Sequence, residues 1–287
     1  MIKFIKNRKI WVYEIDGKIL VRSKDKAKLE AKVAAEFSKT VHDGSVNMVM
    51  EKTEFSVSER FEFIEQFTKL VVRNIIPSLV VTGSGGLGKT HTVTEALKSC
   101  GKVEGVCSGD DDGDFLMISG YSTPRVLYTT LYENNGKIII FDDCDSVFRD
   151  PIGGNILKAA LDSKQKRIIS WGAESKGDIV PSRFEFTGKV IFISNLTLDK
   201  FPQSILSRSM LADITLNEEE KIERIDQIFK TEKKFSDEDK KEVISFIREN
   251  SSKFKDLNIR SAFNCMKMKI AVGENWKRMA LYSATLN

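Results

Sequence analysis

The chain has 287 residues, of which 41% are hydrophobic and 30% are charged, the balance of a globular protein with one large domain and an appendage. It has no apolar run of 18 residues, so we expect no membrane-spanning helix. The first residues lack the apolar stretch of a secretory signal. The four cysteines form no CxxC pair, which argues against a zinc site and favours a cytoplasmic location.

Residues 1–54 are predicted to form a small α+β appendage. Residues 10–15 and 18–22 flank Asp16-Gly17, a two-residue hairpin signal. Residues 26–39 have helical spacing, and 46–50 could add a strand. The region holds 12 Lys/Arg against 8 Asp/Glu, a surplus equal to the whole net charge of +4. Its ordinary interpretation is a solvated surface, and contact with nucleic acid is the alternative.

Residues 55–216 are predicted to form an α/β core. Strand-like apolar runs alternate with helical patterns, which is typical of a parallel sheet covered on both faces. Ser58 is the expected cap of the first helix, and Pro77 is expected to end it. The apolar runs are 79–82, 115–118, 137–141 and 190–194. Residues 167–171 and 183–186 predict a hairpin inserted ahead of the last of these runs.

Residues 217–287 carry only helical signals and are predicted to form a small helical domain. Asn217 precedes three acids, a pattern typical of a capped helix start. Ser236 precedes three more acids in the same way. Residues 259–272 and 276–282 predict two further helices.

The glycine-rich segment at residues 83–90, GSGGLGKT, matches G-x-x-x-x-G-K-[ST] between a predicted buried strand and a helix. Its backbone N–H groups could cradle phosphates at a helix N-terminus. Lys89 is expected to bridge the β- and γ-phosphates, and the Thr90 hydroxyl to ligate Mg²⁺. We therefore predict that ATP and Mg²⁺ bind here, with nucleotide contacts from Gly83, Ser84, Gly85, Gly86, Leu87, Gly88, Lys89, Thr90 and His91.

Polar residues follow two other predicted strands. Asp142 and Asp143 end the run at 137–141, and Asn195 follows the run at 190–194. Asp142 is the expected Mg²⁺ partner, through water, and Asp143 the candidate to polarise the attacking water. Asn195 could orient that water without adding charge. The structural alternatives are a helix cap for the acids and a turn for Asn195.

With these motifs in this order, residues 55–285 resemble the AAA+ ATPases. The resemblance makes residues 83–90 the Walker A motif, Asp142 and Asp143 the Walker B motif, and Asn195 sensor 1. It implies that Arg208 is an arginine finger, reaching a neighbour's nucleotide, and that Arg260 is sensor 2, touching the γ-phosphate. Surface ion pairs are the alternative for both arginines. The resemblance also implies a helical lid at 217–287 and a ring, with a hexamer favoured.

The chain departs from the family at Asp143, where most members have Glu. Because Asp is one methylene shorter, either a water held by its carboxylate must lie closer or the end of the strand must shift. The departure bears on the rate of hydrolysis and the identity of the base, and leaves ATP binding unaffected.

The predicted hairpin resembles the pre-sensor-1 hairpin of superfamily-three helicases, branch-migration motors and protein unfoldases. In such rings it points into the pore, which makes Lys176, in the loop at 172–182, a candidate substrate contact. Tyr121 occupies the place of the first pore loop, with core packing as the alternative. The wider pattern of residues 127–171 resembles AAA+ ATPases carried by bacteriophages.

We therefore expect an ATP hydrolase that acts on nucleic acid as a motor, helicase-like enzyme or loader, in phage replication or recombination and in the host cytoplasm. A protein remodeller, with Tyr121 gripping polypeptide and the appendage binding a client protein, is the first alternative. A slow ATP-dependent assembly switch is the second, supported only by Asp143. Stimulation of ATP hydrolysis by nucleic acid, lost at high salt, would separate the first function from the other two.

Overall fold

The computed structural model describes residues 2–5, 10–15, 18–23, 28, 54–105, 113–120, 123–172 and 180–286. The chain divides into two compact units, Met1–Thr53 and Glu54–Asn287. The strand predicted at 46–50 lies outside the described residues, as does nearly all of the helix predicted at 26–39.

The first unit contains an antiparallel sheet in the order β1-β2-β3, with strands β1 (Ile2–Ile5), β2 (Ile10–Ile15) and β3 (Lys18–Ser23). The predicted hairpin is confirmed, because β2 and β3 pair antiparallel on either side of residues 16–17. Their register shifts between Tyr13 and Glu14.

The second unit is built on a five-stranded parallel sheet in the order β10-β4-β9-β6-β5. A separate antiparallel hairpin, β7 with β8, precedes β9 and confirms the predicted insertion. The strands of this unit are β4 (Ser78–Gly83), β5 (Phe115–Ser119), β6 (Ile138–Asp142), β7 (Ile168–Ser170), β8 (Arg183–Glu185), β9 (Lys189–Ile193) and β10 (Met210–Ile214).

Helices cover both faces of this sheet and then continue beyond it. In chain order they are α1 (Val57–Val72), α2 (Lys89–Ser99), α3 (Pro124–Glu133), α4 (Ser146–Arg149), α5 (Pro151–Ala160), α6 (Gln203–Leu206), α7 (Glu218–Thr231), α8 (Asp237–Glu249), α9 (Ile259–Val272) and α10 (Trp276–Leu286). Apolar side chains of α1 and α2 form the core on one face. Those of α3, α5 and α6 form the core on the other.

The interior strand β4, which lies between β10 and β9, shows why the sheet is buried on both sides. Successive side chains of a strand point to opposite faces. Leu79 and Val81 accordingly belong to the core beneath α1 and α2, and Val80 to the opposite core. All six residues of β4 are buried, as the apolar run in the sequence predicted.

The first helix of the core begins earlier than predicted. Its N-cap is Ser56, which accepts a hydrogen bond from the Glu59 amide while the Glu59 carboxylate accepts from the Ser56 amide. This reciprocal capping box needs an acid three residues after the cap, so the assignment of Ser58 was wrong. The helix ends at Val72, ahead of Asn74 at a φ of +59°, so Pro77 does not end it.

The helices α7 to α10 pack around a third apolar core, which contains Phe229, Val243, Met266 and Trp276. Their predicted starts are confirmed, because Asn217, Ser236 and Asn258 each cap the helix that follows. No helix in the described ranges is both long and apolar enough to cross a membrane.

Candidate functional site

The glycine-rich loop, residues 83–90, joins the interior strand β4 to α2. Gly83 ends β4 with a φ of +129°, and an added Cβ there would lie 2.2 Å from the Ile214 carbonyl oxygen of neighbouring β10. Only glycine allows this close approach. Gly88 is the N-cap of α2 and supplies no side-chain acceptor to its first-turn amides. The loop therefore presents unsatisfied helix-end donors at the carboxyl edge of the sheet.

Lys89 lies inside this loop and is only 5% exposed. Its ammonium group donates to the carbonyl oxygens of Gly83, at 2.7 Å, and Ser84, at 2.8 Å. It also donates to the Asn195 side-chain oxygen at 3.0 Å. Burial lowers the Lys89 pKa to about 8, against the opposing charges of the site's aspartates. Because an ammonium group has three donors, any further acceptor must replace one of these partners.

Thr90 and Asp142 meet although 52 residues separate them in sequence. The Thr90 hydroxyl lies 3.1 and 3.2 Å from the two carboxylate oxygens of Asp142, at the end of β6. Burial raises the Asp142 pKa, while the hydrogen bond from Thr90 opposes the rise. A hydroxyl beside a carboxylate is an oxygen donor set of the kind that Mg²⁺ prefers.

Asp143 has an unusual backbone conformation for a residue other than glycine, with a φ of +54°. Asp and Asn tolerate this left-handed region better than longer side chains do. The Asp143 amide donates to the Ile193 carbonyl oxygen at 2.9 Å, and its carboxylate accepts from the Asn195 side-chain amide at 2.9 Å. Its side chain is exposed. The backbone turn therefore places the solvent-exposed carboxylate of Asp143 next to Asn195.

The turn after β9 is fixed by buried Ser194. Its hydroxyl donates to Asp145 at 2.6 Å and accepts from the Leu196 amide at 3.0 Å. These two bonds hold the backbone on either side of Asn195. The Asn195 side chain is thereby positioned between Lys89 and Asp143.

The start of α9 rests directly on the glycine-rich loop. The Ile259 amide donates to the Gly86 carbonyl oxygen at 3.0 Å. An added Cβ at Gly86 would lie 2.9 Å from Cγ of Asn258, the cap of α9. Arg260 follows in the first turn of α9, and its charge acts on both Lys89 and Asp142. The helical C-terminal part of the chain thus contributes to the same site.

These elements enclose a cleft of about 290 Å³. Sequence analysis predicted most of its lining, and Ile193 and Ile259 are additional. The cleft is lined by Gly86, Leu87, Gly88, Lys89, Thr90, His91, Asp142, Asp143, Ile193, Asn195, Ile259 and Arg260. Residues Gly83, Ser84 and Gly85 complete the loop behind Lys89, where Gly83 and Ser84 accept its hydrogen bonds.

Arg208 does not belong to this cleft. Its backbone carbonyl accepts from Ser78 at the first residue of β4, whereas the loop follows the last residue. A strand of this length separates its two ends by roughly 16 Å. The Arg208 guanidinium donates to the Ser204 carbonyl oxygen at 2.9 Å and lines a groove with Ile76 and Pro77.

The two candidate pore residues, Tyr121 and Lys176, lie outside the described residues. Three residues that contact or approach the loop were not predicted from the sequence. They are Asn258, Ile259 and Arg224. Ile259 and Asn258 could have been inferred from their position beside Arg260. Arg224 stands in an ordinary amphipathic helix and has no sequence signal of its own.

The fold and the site together define an α/β protein with a five-stranded parallel sheet, a glycine-rich loop after its interior strand β4 and C-terminal helices. No protein-family profile matches the chain. The chain is similar to a protein of Enterobacteria phage T4 named as an uncharacterized 36.7 kDa protein in the nrdC-mobD intergenic region. The two are 26% identical over 306 aligned residues, which cover 98% of this chain and 85% of the phage protein.

Proposed function

We propose that this chain is an AAA+ type ATPase that binds and hydrolyses Mg·ATP. The contact between Thr90 and Asp142 carries the proposal. It joins the two motifs that the sequence predicted separately, at the edge of a parallel sheet where α/β proteins bind ligands. This contact lies beside buried Lys89 and the N-terminus of α2, which has no side-chain cap.

The loop is suited to hold the phosphates. Gly88 leaves the first-turn amides of α2 available to an anion, and the helix dipole favours negative charge there. Lys89 would exchange its bond to Asn195 or to a loop carbonyl for a phosphate oxygen. A bound phosphate would favour the charged form of Lys89 by the same attraction that the aspartates exert now.

Thr90 and Asp142 are the residues that would hold Mg²⁺, directly or through water, because they offer oxygen donors at one point. The ion supplies charge neutralisation to the β- and γ-phosphates. Asp143 and Asn195 would orient the attacking water, with the Asp143 carboxylate accepting its proton. The exposed Asp143 side chain can reach solvent on the open side of the cleft.

A neighbouring subunit would complete the site. Arg208 lies at the opposite end of β4 from its own loop, so it can act on a nucleotide only in another copy of the chain. Arg260 already belongs to the cleft of its own chain. We therefore propose a ring, with a hexamer favoured, in which Arg208 of one subunit offsets the transition-state charge in the next.

The proposed substrate is nucleic acid, which a motor, helicase-like enzyme or loader would move along or load. The basic surplus of residues 1–54 supports it, and similarity to a phage T4 protein supports a phage setting. A protein remodeller and an ATP-dependent assembly switch are the alternatives. ATPase rates with single-stranded DNA, duplex DNA, RNA and an unfolded protein distinguish the three.

The direct test of the enzyme is Asp142→Asn. This change keeps the size of the side chain but removes the charge beside Thr90, so Mg²⁺-dependent ATP hydrolysis should fall about 100-fold or more. Glu249→Gln, a charge-removing change at an exposed position on α8, is the matched control and should leave hydrolysis unchanged. Equal rates for wild type and Asp142→Asn would reject the metal role of Asp142, and absence of Mg²⁺-dependent hydrolysis in the wild type would reject the proposed activity.

A further inference from the structure

Arg224 of α7 packs against an aromatic ring and has a buried donor without a described hydrogen-bond partner. Its guanidinium carbon lies 3.5 Å from the centre of the Phe61 ring, so the planar group is held close against the ring. The Nε atom is buried and has no hydrogen-bond partner among the described residues. Buried donors are nearly always paired, so an unpaired one points to a missing acceptor.

The charge of Arg224 is also partly removed from water. Burial lowers its pKa, and Glu65 opposes the shift at a distance. Its described side-chain hydrogen bond, from Nη1 to the Gln227 side-chain oxygen, is long at 3.4 Å. A half-buried cation whose described hydrogen bond is to one weak neutral partner carries part of the desolvation cost in the free protein. An acceptor from a ligand would remove that cost.

The guanidinium lies at the loop that would hold the phosphates. A Cβ built on Gly88 would be 3.8 Å from Arg224 Nη2 and 3.6 Å from Ile259 Cδ1. Gly88 and Ile259 both line the cleft. Arg224 is therefore next to the cleft, beside Gly88.

The surroundings of Arg224 differ from those of Arg260, and this difference orients a nucleotide. The charge of Arg260 acts on Lys89 and Asp142, where Mg²⁺ and the terminal phosphate would lie on the proposed function. Arg224 is not among the charges that act on Lys89 or Asp142, and its described surroundings are Phe61, Gln227 and the backbone of Gly88. It therefore lies beside the glycine-rich loop and away from the magnesium position, on the side where the nucleoside would continue from the phosphates.

We propose that Arg224, held by Phe61, is a nucleotide-binding residue that donates hydrogen bonds to the nucleoside part of bound ATP. The acceptors would be ribose oxygens or purine ring nitrogens, both of which suit a guanidinium. Arg224 is then a contact that distinguishes a nucleotide from a bare polyphosphate. The inference rests on the proposed function, since it takes the phosphates to lie in the glycine-rich loop.

The test compares Arg224→Met with wild type by calorimetry, using Mg·ATP and Mg·triphosphate as separate ligands. Met keeps apolar packing on Phe61. We expect the Kd for Mg·ATP to rise about tenfold, and the Kd for Mg·triphosphate to change less than about twofold. The melting temperature without ligand should stay the same or rise, because the unpaired buried donor is gone.

Arg60→Met is the matched control, since Arg60 also joins α1 to α7 and also has an unpaired buried Nε among the described residues. Its other nitrogens are paired, with the Thr215 carbonyl oxygen at 3.0 Å and with Glu220. Arg60→Met should lower the melting temperature and leave both Kd values within about twofold of wild type. Arg224→Gln repeats the comparison if Arg224→Met does not fold.

The outcomes separate the two proposals. If wild type binds both ligands and Arg224→Met weakens only Mg·ATP, the nucleoside contact is supported. With 2′-deoxy-ATP, a smaller effect of the variant assigns the contact to the ribose 2′-hydroxyl, and an equal effect excludes that hydroxyl as the acceptor. If Arg224→Met weakens both ligands equally or neither, Arg224 is structural and this inference is overturned. If wild type binds neither ligand, the proposed function itself is wrong.

Discussion

The side-chain amide of Asn195 donates a hydrogen bond of 2.9 Å to Asp143. The oxygen of the same amide accepts from Lys89 at 3.0 Å, so one neutral side chain connects the buried lysine with the exposed carboxylate. A phosphate that draws Lys89 away would free the Asn195 oxygen. Phosphate binding and the placement of a water at Asp143 are thus expected to be linked through Asn195.

The first prediction follows from this link. Asn195→Ala should keep the affinity for Mg·ATP within about threefold and reduce turnover about 100-fold, because it removes a group that orients water. Calorimetry and steady-state ATPase rates measure the two effects. Asn155→Ala, at an exposed position on α5, is the control. Loss of affinity without loss of turnover would contradict the assigned role.

The second prediction concerns Arg208, which lies at the far end of the sheet from its own loop. Arg208→Ala should bind Mg·ATP like wild type and lose turnover about 1,000-fold or more, as expected for an arginine supplied by a neighbour. Arg248→Ala, at an exposed position on α8, is the control and should hydrolyse normally.

A mixing experiment tests whether Arg208 acts between subunits. Lys89→Ala subunits retain Arg208 and lack a working loop, whereas Arg208→Ala subunits have the opposite defect. Mixed in equal amounts, the two inactive variants should recover measurable turnover. Absence of recovery in mixed assemblies, or full turnover by Arg208→Ala alone, would count against action in trans.

The third prediction concerns Gly86, where the loop meets α9. Gly86→Ala places a Cβ 2.9 Å from Asn258 at a φ of +69°, so it adds a clash to backbone strain and should cost about 2 kcal/mol or more in unfolding free energy. Gly101→Ala is a matched control, since Gly101 has a φ of +73° with no described atom within 4 Å. That control should cost about 1 kcal/mol. Urea unfolding measures both, and equal costs would show that the contact with Asn258 is unimportant.

The fourth prediction uses pH and the ion pairs of the C-terminal helices. Hydrogen bonds from Lys269 and then Lys277 lower the Glu242 pKa from 4.5 to about 2. Because the Glu242 pKa is lower in the folded state, its ionised carboxylate stabilises the fold at pH values above 4.5, the pKa in the unfolded chain. This contribution to stability is lost as the pH falls towards 2. Glu242→Gln should therefore show a smaller drop in melting temperature between pH 5 and pH 2 than wild type. Glu249→Gln on the same helix is the control, and an identical drop in wild type and Glu242→Gln would contradict the prediction.

Sequence alone predicted the parts of the fold whose signals are local. The hairpin β2–β3, the strand β4 and the caps Asn217 and Ser236 all depend on residues that are adjacent in sequence. The strand β10 was not predicted because its apolar run is short and is interrupted by Asp213. Met210 and Leu211 are exposed, and only Ala212 and Ile214 are buried.

In the candidate site, too, the residues with local sequence signals were predicted and the contacts that depend on helix packing were not. Lys89, Thr90, Asp142 and Asn195 were predicted because each follows a recognisable strand, and parallel strands bring their carboxyl ends to one edge. The contacts of α9 with Gly86, and the place of Arg224 beside Gly88, depend on how the C-terminal helices pack. Packing of distant helices leaves no mark at a single sequence position.

The most direct test of the account is isothermal titration of the folded chain with Mg·ATP, for wild type and Lys89→Ala. Lys89 is the buried cation at the centre of the loop, so its removal should abolish measurable binding while wild type takes up one Mg·ATP per chain. No uptake by the wild-type protein, or equal uptake by Lys89→Ala, would contradict the claim that this loop binds the triphosphate.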